Sequence, residues 1–176
     1  MKSLLLFTDG SAHPASRIGY GAYLAISDLN ADVPESEAID NLRMQIASNA
    51  SGSSLESCVQ LKRFEDTSSS QLEIETLIWA LRATQPQTVT LYTDSQNIIG
   101  LPDRRERLEK QEYRSKTGAL LNHAELYQEF FALTDPLDFT LIKVKGHRRS
   151  HQKTPIDQLF TLVDRASRQA LRAELA

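Results

Sequence analysis

The sequence predicts an α/β fold built as a five-stranded mixed sheet with helices on both faces. Five β-rich runs support this prediction, each bounded by Gly, Pro, Asp or Ser, at residues 4–8, 21–26, 58–64, 88–93 and 139–144. The first three runs follow one another without a long helical pattern, which indicates antiparallel strands. A helical pattern precedes each of the last two runs, which indicates that the fourth and fifth strands are added in parallel.

Length and composition are typical of one domain. The chain has 176 residues, 40% hydrophobic and 24% charged, which is enough for a domain with its own core. We therefore predict a single domain over residues 1–176, with a polar insertion at about residues 28–57 and a short helix near residues 39–47 within it. We interpret the lone Cys58 as a small buried strand residue.

Targeting signals are not visible in the sequence. No stretch approaches the roughly 18 to 20 apolar residues of a membrane span, and the apolar run at the N-terminus is too short for a secretory signal. We therefore expect a cytoplasmic monomer that associates with no membrane.

The helix expected at about residues 70–84 carries one acid in an unusual place. At about 100° per residue, Glu73 lies at the border of the apolar arc, whereas Glu75 lies on the opposite side. A carboxylate turned towards the sheet needs a partner, because an unpaired buried carboxylate is costly. The alternative is that Ser70 and Glu73 form a capping box at the start of the helix.

The last helix is expected to open at Thr154, with Pro155 in its first turn, and to run to about residue 174. Asp157 and Asp164 are seven residues apart and therefore lie on one face of this helix. A structural role is available to Asp157, as an acid at the helix N-terminus, whereas Asp164 lies two turns further on and has no such role.

The same local pattern, "TD" followed by a small residue, closes the first and fourth β-rich runs at Asp9 and Asp94. If these strands are parallel neighbours, the two carboxylates emerge side by side and repel unless they share a proton or a cation. With Glu73 and one aspartate of the last helix, the cluster has four acids and no cysteine. Ligands that are all oxygen favour Mg²⁺ or Mn²⁺ over zinc.

Basic residues are concentrated in two segments, although the net charge is -3. From Lys143 to Lys153 there are five Lys or Arg, two His and no acid, and residues 103–116 hold six basic and four acidic residues. Both segments are candidates for a cationic surface that binds nucleic acid. The second is equally typical of a solvated segment with internal salt bridges.

Six motifs in order resemble type 1 ribonuclease H, within the ribonuclease H-like superfamily. They are "LFTDGS" with "GYGAYL", "SSSQLEIETLIWAL", "LYTDSQNI", "NHAELYQEF", "KVKGH" and "VDRASRQAL", and they occur in the order of the family. The resemblance implies cleavage of the RNA strand of RNA/DNA hybrids, with Mg²⁺ at two positions, or Mn²⁺, as the only cofactor.

The resemblance also implies residue roles. It places the catalytic, metal-binding acids at Asp9, Glu73, Asp94 and Asp164. Asp9 would bridge two ions, Asp164 would hold the ion that activates water, and Glu73 with Asp94 would hold the other ion. His147 matches a histidine that assists water activation or product release. Substrate contacts are implied for Gly10, Ser11, Ser69, Ser70, Gln96, Arg148 and Arg149, with further phosphate contacts from Lys153 and residues 104–116.

The chain departs from the family pattern in three places. Ser68, Ser69 and Ser70 stand where many members carry asparagines, and residues 101–118 replace a basic segment with a shorter one of mixed charge. Asp157 has the commoner family spacing, ten residues after His147. We prefer Asp164 as the fourth acid, because "VDRASRQA" fits the family better than the bulky "IDQLFTL".

Two other functions remain open on the sequence. One is a related nuclease of the same superfamily, of the DNA-junction or transposon type, which "SSSQLE" and "KVKGH" disfavour. The other is a nucleic-acid-binding module with weak catalysis. The presence of all four acids disfavours it, whereas the serines and the acidic net charge favour it.

Overall fold

The computed structural model describes residues 3–27, 41, 44, 55–145 and 153–176. Its strands are β1 (Ser3–His13), β2 (Ile18–Ser27), β3 (Gln60–Phe64), β4 (Thr88–Thr93) and β5 (Asp138–Lys143). Its helices are α1 (Ser69–Thr84), α2 (Gln96–Ile99), α3 (Leu101–Lys110), α4 (Ala124–Thr134) and α5 (Pro155–Leu175), with a short 3-10 helix at Leu55–Cys58. The insertion at residues 28–57 and its expected helix lie almost entirely outside the described residues.

The strands form one mixed sheet in the order β3-β2-β1-β4-β5. β2 pairs antiparallel with both β1 and β3, whereas β4 pairs parallel with both β1 and β5. The predicted combination of three antiparallel strands and two parallel additions is therefore confirmed. In the described ranges, no helix is long and apolar enough to cross a membrane.

β1 is longer than the sequence predicts, because its two neighbours pair with different lengths of it. Pairing with β4 stops at Phe7, opposite Tyr92, while pairing with β2 continues to His13, opposite Ile18. The sequence predicts that the first strand closes at Asp9. In the structure Asp9 lies within β1, just beyond the point where β4 stops pairing with β1. The register of the last pairs places Asp9 level with Asp94.

Helices cover both faces of the sheet, as predicted, because side chains alternate along each strand. Leu6 of β1 is buried in a core with α1 and α4, whereas the adjacent Phe7 is buried on the other face with Leu159 and Val163 of α5. These two apolar cores fix α1 and α5 on opposite faces of β1, and each helix carries candidate acids.

Glycines allow α1 to lie close to the sheet where β1 and β2 pair. A Cβ atom at Gly21 would lie 2.2 Å from Thr76 Oγ1, and one at Gly10 would lie 2.9 Å from Leu72 Cδ2. Gly10 and Gly21 face each other across the two strands. The close approach brings the first turns of α1, and with them Glu73, near the part of β1 that carries Asp9.

The prediction for Cys58 is wrong. This residue is exposed and ends the 3-10 helix, and β3 begins two residues later, at Gln60. β3 lies at the edge of the sheet, and four of its five residues are exposed. An apolar residue near this strand therefore need not be buried.

Candidate active site

Asp9 and Asp94 are the centre of the acidic cluster. Asp9 is half-buried on β1, while Asp94 is exposed immediately after β4. Burial, followed by the nearby charges of Asp94 and Asp164, raises the pKa of Asp9 to about 8. The backbone N–H of Gly10 opposes this effect in part by hydrogen bonding to the carboxylate.

Glu73 joins the cluster from α1, and its position shows why the capping-box interpretation is wrong. Ser68 caps this helix, since its side chain accepts a hydrogen bond from the backbone N–H of Gln71 at 3.4 Å. Glu73 Oε2 instead accepts a 2.5 Å hydrogen bond from Ser95 Oγ. Burial raises the pKa of Glu73, the hydrogen bond from Ser95 opposes this, and the charge of Asp94 adds to the rise.

The structure separates the two candidate aspartates of α5. Asp157 forms a capping box with Thr154: Asp157 N donates to Thr154 Oγ1 at 3.2 Å, and Thr154 N donates to Asp157 Oδ2 at 2.9 Å. Asp164, two turns further on, lies close enough to Asp9 for its charge to help raise the pKa of Asp9. It also forms an ion pair with Arg168, whose Nε lies 2.6 Å from Asp164 Oδ1.

Ser167 is a polar residue of the cluster that the sequence reasoning missed. It is fully buried, and its Oγ lies 3.2 Å from Ser11 Oγ, 3.3 Å from Asp9 Oδ2 and 3.1 Å from the Asp164 carbonyl oxygen. One feature of the sequence could have identified Ser167: it is a small polar residue one turn after an acid, on an otherwise apolar helix face. Ser167 joins α5 to β1 at the position of Asp9.

The residues expected to contact substrate lie around this cluster. Gly10 and Ser11 are on β1, the exposed Ser69 and Ser70 are in the first turn of α1, and Gln96 begins α2. Gln96 Oε1 accepts a hydrogen bond from Lys143 Nζ at the end of β5. His147, Arg148 and Arg149 lie outside the described residues, so their predicted roles stay predictions.

The segment 103–116 is largely helical and partly salt-bridged. Arg105 pairs with Glu109 at 2.7 Å and also with Asp135, and Arg104 donates to Asn97 Oδ1 at 2.7 Å. The salt-bridged interpretation therefore holds for Arg105, whereas Arg104 is held by a neutral amide. Arg107, Lys110 and Lys116 are exposed.

The donor chemistry of the cluster fits a hard divalent cation, because the four acids offer only carboxylate oxygens. In the described part of the chain, however, no three His, Cys, Asp or Glu side chains are arranged as a ready metal cluster. Protein groups hold two of the acids, since Ser95 hydrogen-bonds to Glu73 and Arg168 pairs with Asp164.

A mixed sheet of this order, with acids where β1 and β4 separate, defines a protein of the ribonuclease H-like class. The family model for RNase H matches residues 1–170, and the chain belongs to that family. The resemblance seen in the sequence motifs is thereby confirmed.

Solved structures show the same fold at low sequence identity. LC9-RNase H1, a type 1 RNase H with the type 2 active-site motif, matches with a TM-score of 0.66 and 14% identity, over 97% of this chain and 72% of that one. Foamy viral protease-reverse transcriptase in complex with dsDNA matches with a TM-score of 0.58 and 12% identity, over 96% of both chains. The same viral protein with an RNA/DNA hybrid gives 0.59 and 12%, over 96% of this chain and 20% of that one. No curated protein matches the chain.

Proposed function

We propose that this protein is a metal-dependent endonuclease that hydrolyses the RNA strand of RNA/DNA hybrids. One observation carries the proposal: Asp94 after β4 and Asp164 on α5 both lie close enough to Asp9 on β1 for their charges to raise its pKa. Family membership supports the activity class. Clustered carboxylates of this kind suit cations that neutralise a phosphodiester and its leaving oxygen.

In this proposal the four acids divide the work of holding Mg²⁺ or Mn²⁺. Asp9 would contribute to both ion positions, Glu73 and Asp94 would hold the ion that faces the leaving oxygen, and Asp164 would hold the ion that activates water. When bound, the ions supply an activated water and stabilise the charge on the leaving oxygen. Ser95 holds the carboxylate of Glu73, and Ser167 holds that of Asp9. His147 is proposed to assist proton transfer or product release.

The proposed substrate surface surrounds the acids. The backbone at Gly10, with Ser11, Ser69, Ser70 and Gln96, would contact the RNA minor groove, where 2′-hydroxyl groups distinguish RNA from DNA. Arg148, Arg149 and Lys153 would contact phosphates, so binding should weaken as salt concentration rises. The foamy viral relative of this fold was solved with an RNA/DNA hybrid, which supports a nucleic-acid partner.

The direct test is cleavage of an end-labelled RNA/DNA hybrid in Mg²⁺, with duplex DNA and duplex RNA of the same sequence as competing substrates. We expect cleavage of the RNA strand of the hybrid alone. The variant Asp94→Asn keeps the size of the side chain and removes its charge, so cleavage should fall by about a hundredfold or more. Cleavage that persists in Asp94→Asn would disprove the proposed site.

The assignment of the fourth acid has its own test. Asp164→Asn should abolish cleavage, because this carboxylate lies close enough to Asp9 for its charge to raise the pKa of Asp9. Asp157→Asn should leave cleavage intact, because this carboxylate caps the helix. If Asp157→Asn abolished cleavage and Asp164→Asn did not, the fourth acid would be Asp157.

A further inference from the structure

Arg168 lies one helical turn after Asp164, and its guanidinium contacts the carboxylate of that acid. Its Nε is 2.6 Å from Asp164 Oδ1, and the two side chains are 48% and 29% exposed. The same carboxylate lies close enough to Asp9 for its charge to help raise the pKa of Asp9. Asp164 therefore lies between a second acid and an internal cation.

We infer that Arg168 is a built-in counter-cation that competes with a divalent metal ion for Asp164. The inference rests on the proposed function, which makes Asp164 a ligand. In the metal-free protein the guanidinium offsets part of the repulsion between Asp164 and its neighbours. A metal ion on the same carboxylate would bring two positive charges close together, so the ion pair and the metal ion disfavour each other.

A supporting role for Arg168 would predict the opposite effect on metal affinity. If the ion pair served only to hold the Asp164 carboxylate in the orientation that binds metal, its loss would weaken metal binding. If Arg168 competes, losing it tightens metal binding. The change should be modest, about two- to fivefold in Kd, because a half-exposed ion pair within one helix is weak.

The experiment measures Mn²⁺ binding alone, without nucleic acid, by isothermal titration calorimetry. Arg168→Ala is compared with the wild type and with Arg165→Ala. Arg165 is exposed on the same helix and lines a cavity with Leu61 and Ala166, so its loss controls for the change in net charge. We expect Arg168→Ala to tighten Mn²⁺ binding about two- to fivefold more than Arg165→Ala does.

A second comparison tests whether the effect acts through Asp164. In an Asp164→Asn background, Arg168→Ala should no longer tighten binding, because the carboxylate for which the two cations compete is absent. Circular dichroism and thermal unfolding of each variant check that the fold is retained.

A spectroscopic readout on the wild type keeps the inference testable if a variant does not fold. The ¹⁵Nε–¹H signal of Arg168 should shift on addition of Mg²⁺, as the Nε–H loses its carboxylate acceptor, while that of Arg165 should stay in place.

The outcomes separate the inference from the proposed function. Unchanged or weaker Mn²⁺ binding by Arg168→Ala, or an Arg168 Nε signal unaffected by saturating Mg²⁺, overturns the competition while leaving the metal site intact. A wild-type protein that binds no Mn²⁺ overturns the proposed metal site and the inference with it. Tighter binding that requires Asp164 supports both.

Discussion

Acidic residues occur in two kinds of surroundings in this protein. On the outer surface, Glu174 accepts hydrogen bonds from Arg63 at 2.8 and 3.0 Å, and Asp135 pairs with Arg105. These guanidinium groups lower the pKa of both acids. Where β1 and β4 separate, the surroundings have the opposite effect, since burial and neighbouring carboxylates raise the pKa of Asp9 to about 8.

The two regions differ in how far the charge of their acids is compensated. A surface acid with its own arginine is already compensated and adds little to stability. In the described part of the chain, Arg168 and the hydroxyl groups of Ser95 and Ser167 offset part of the repulsion in the cluster of Asp9, Glu73, Asp94 and Asp164. Such a cluster opposes folding unless a cation is bound, and active sites often retain strain of this kind.

The largest expected effect on stability concerns the contact that brings α1 to the cluster. In Gly21→Ala the new methyl group would meet Thr76 Oγ1, a buried hydroxyl that donates to the Leu72 carbonyl at 2.7 Å. We expect the free energy of unfolding to fall by about 1 to 3 kcal/mol, measured by urea denaturation. Thr76→Ala should reduce the cost of Gly21→Ala, and equal costs in both backgrounds would show that the clash is absent.

The next effect separates the two kinds of acid directly. In chelator at pH 8, Asp9→Asn should raise the thermal midpoint by about 3 °C or more, or roughly 1 kcal/mol, because it removes a poorly compensated buried charge. Its cleavage activity should be lost at the same time. A lower midpoint than the wild type would mean that Asp9 stabilises the metal-free fold.

The sign of the pH dependence follows from the raised pKa. Between about pH 4 and about pH 8, the unfolded chain releases the Asp9 proton while the folded protein retains it. The free energy of unfolding of the metal-free protein should therefore fall as pH rises through this window. Asp9→Asn should remove that part of the slope, and parallel pH profiles for the two proteins would contradict the assignment.

A smaller effect is expected for the helix cap. Thr154→Ala removes the hydroxyl that accepts from the backbone N–H of Asp157, and it should reduce stability by about 1 kcal/mol. Cleavage should remain at the wild-type rate, because this end of α5 is two turns from Asp164. Loss of cleavage in a folded Thr154→Ala protein would argue that Asp157 belongs to the site.

The smallest effect is expected for a compensated surface acid. Glu174→Gln should leave both the thermal midpoint and cleavage unchanged within experimental error, since the ion pair with Arg63 is solvated. A loss of stability as large as that of Thr154→Ala would show that this surface acid is not a weak contributor, contrary to the comparison made with the acidic cluster.

Features with a local signal in the sequence were predicted well. The β-rich runs gave the five strands and their directions, because strand patterns and the intervening helices are local. Thr154 and Pro155 gave the start of α5. The repeated "TD" pattern identified Asp9 and Asp94, which the sheet register then places level with each other.

Features that depend on tertiary neighbours were not predicted. The length of β1 depends on unequal pairing with β2 and β4. The partner of Glu73, Ser95, belongs to a different element of the fold. Ser167 contacts Ser11 and Asp9 only because α5 packs against β1. No pattern within one helix shows which acids of other elements it will meet.

Thermal unfolding with and without Mg²⁺ tests most directly whether the acids converge to hold cations. At a Mg²⁺ concentration about 100 times Kd, the wild-type midpoint should rise by about 5 °C or more, as should that of Asp157→Asn, whereas Asp9→Asn should show no rise. A wild-type midpoint that does not respond to Mg²⁺, or an equal rise in Asp9→Asn, would contradict this account.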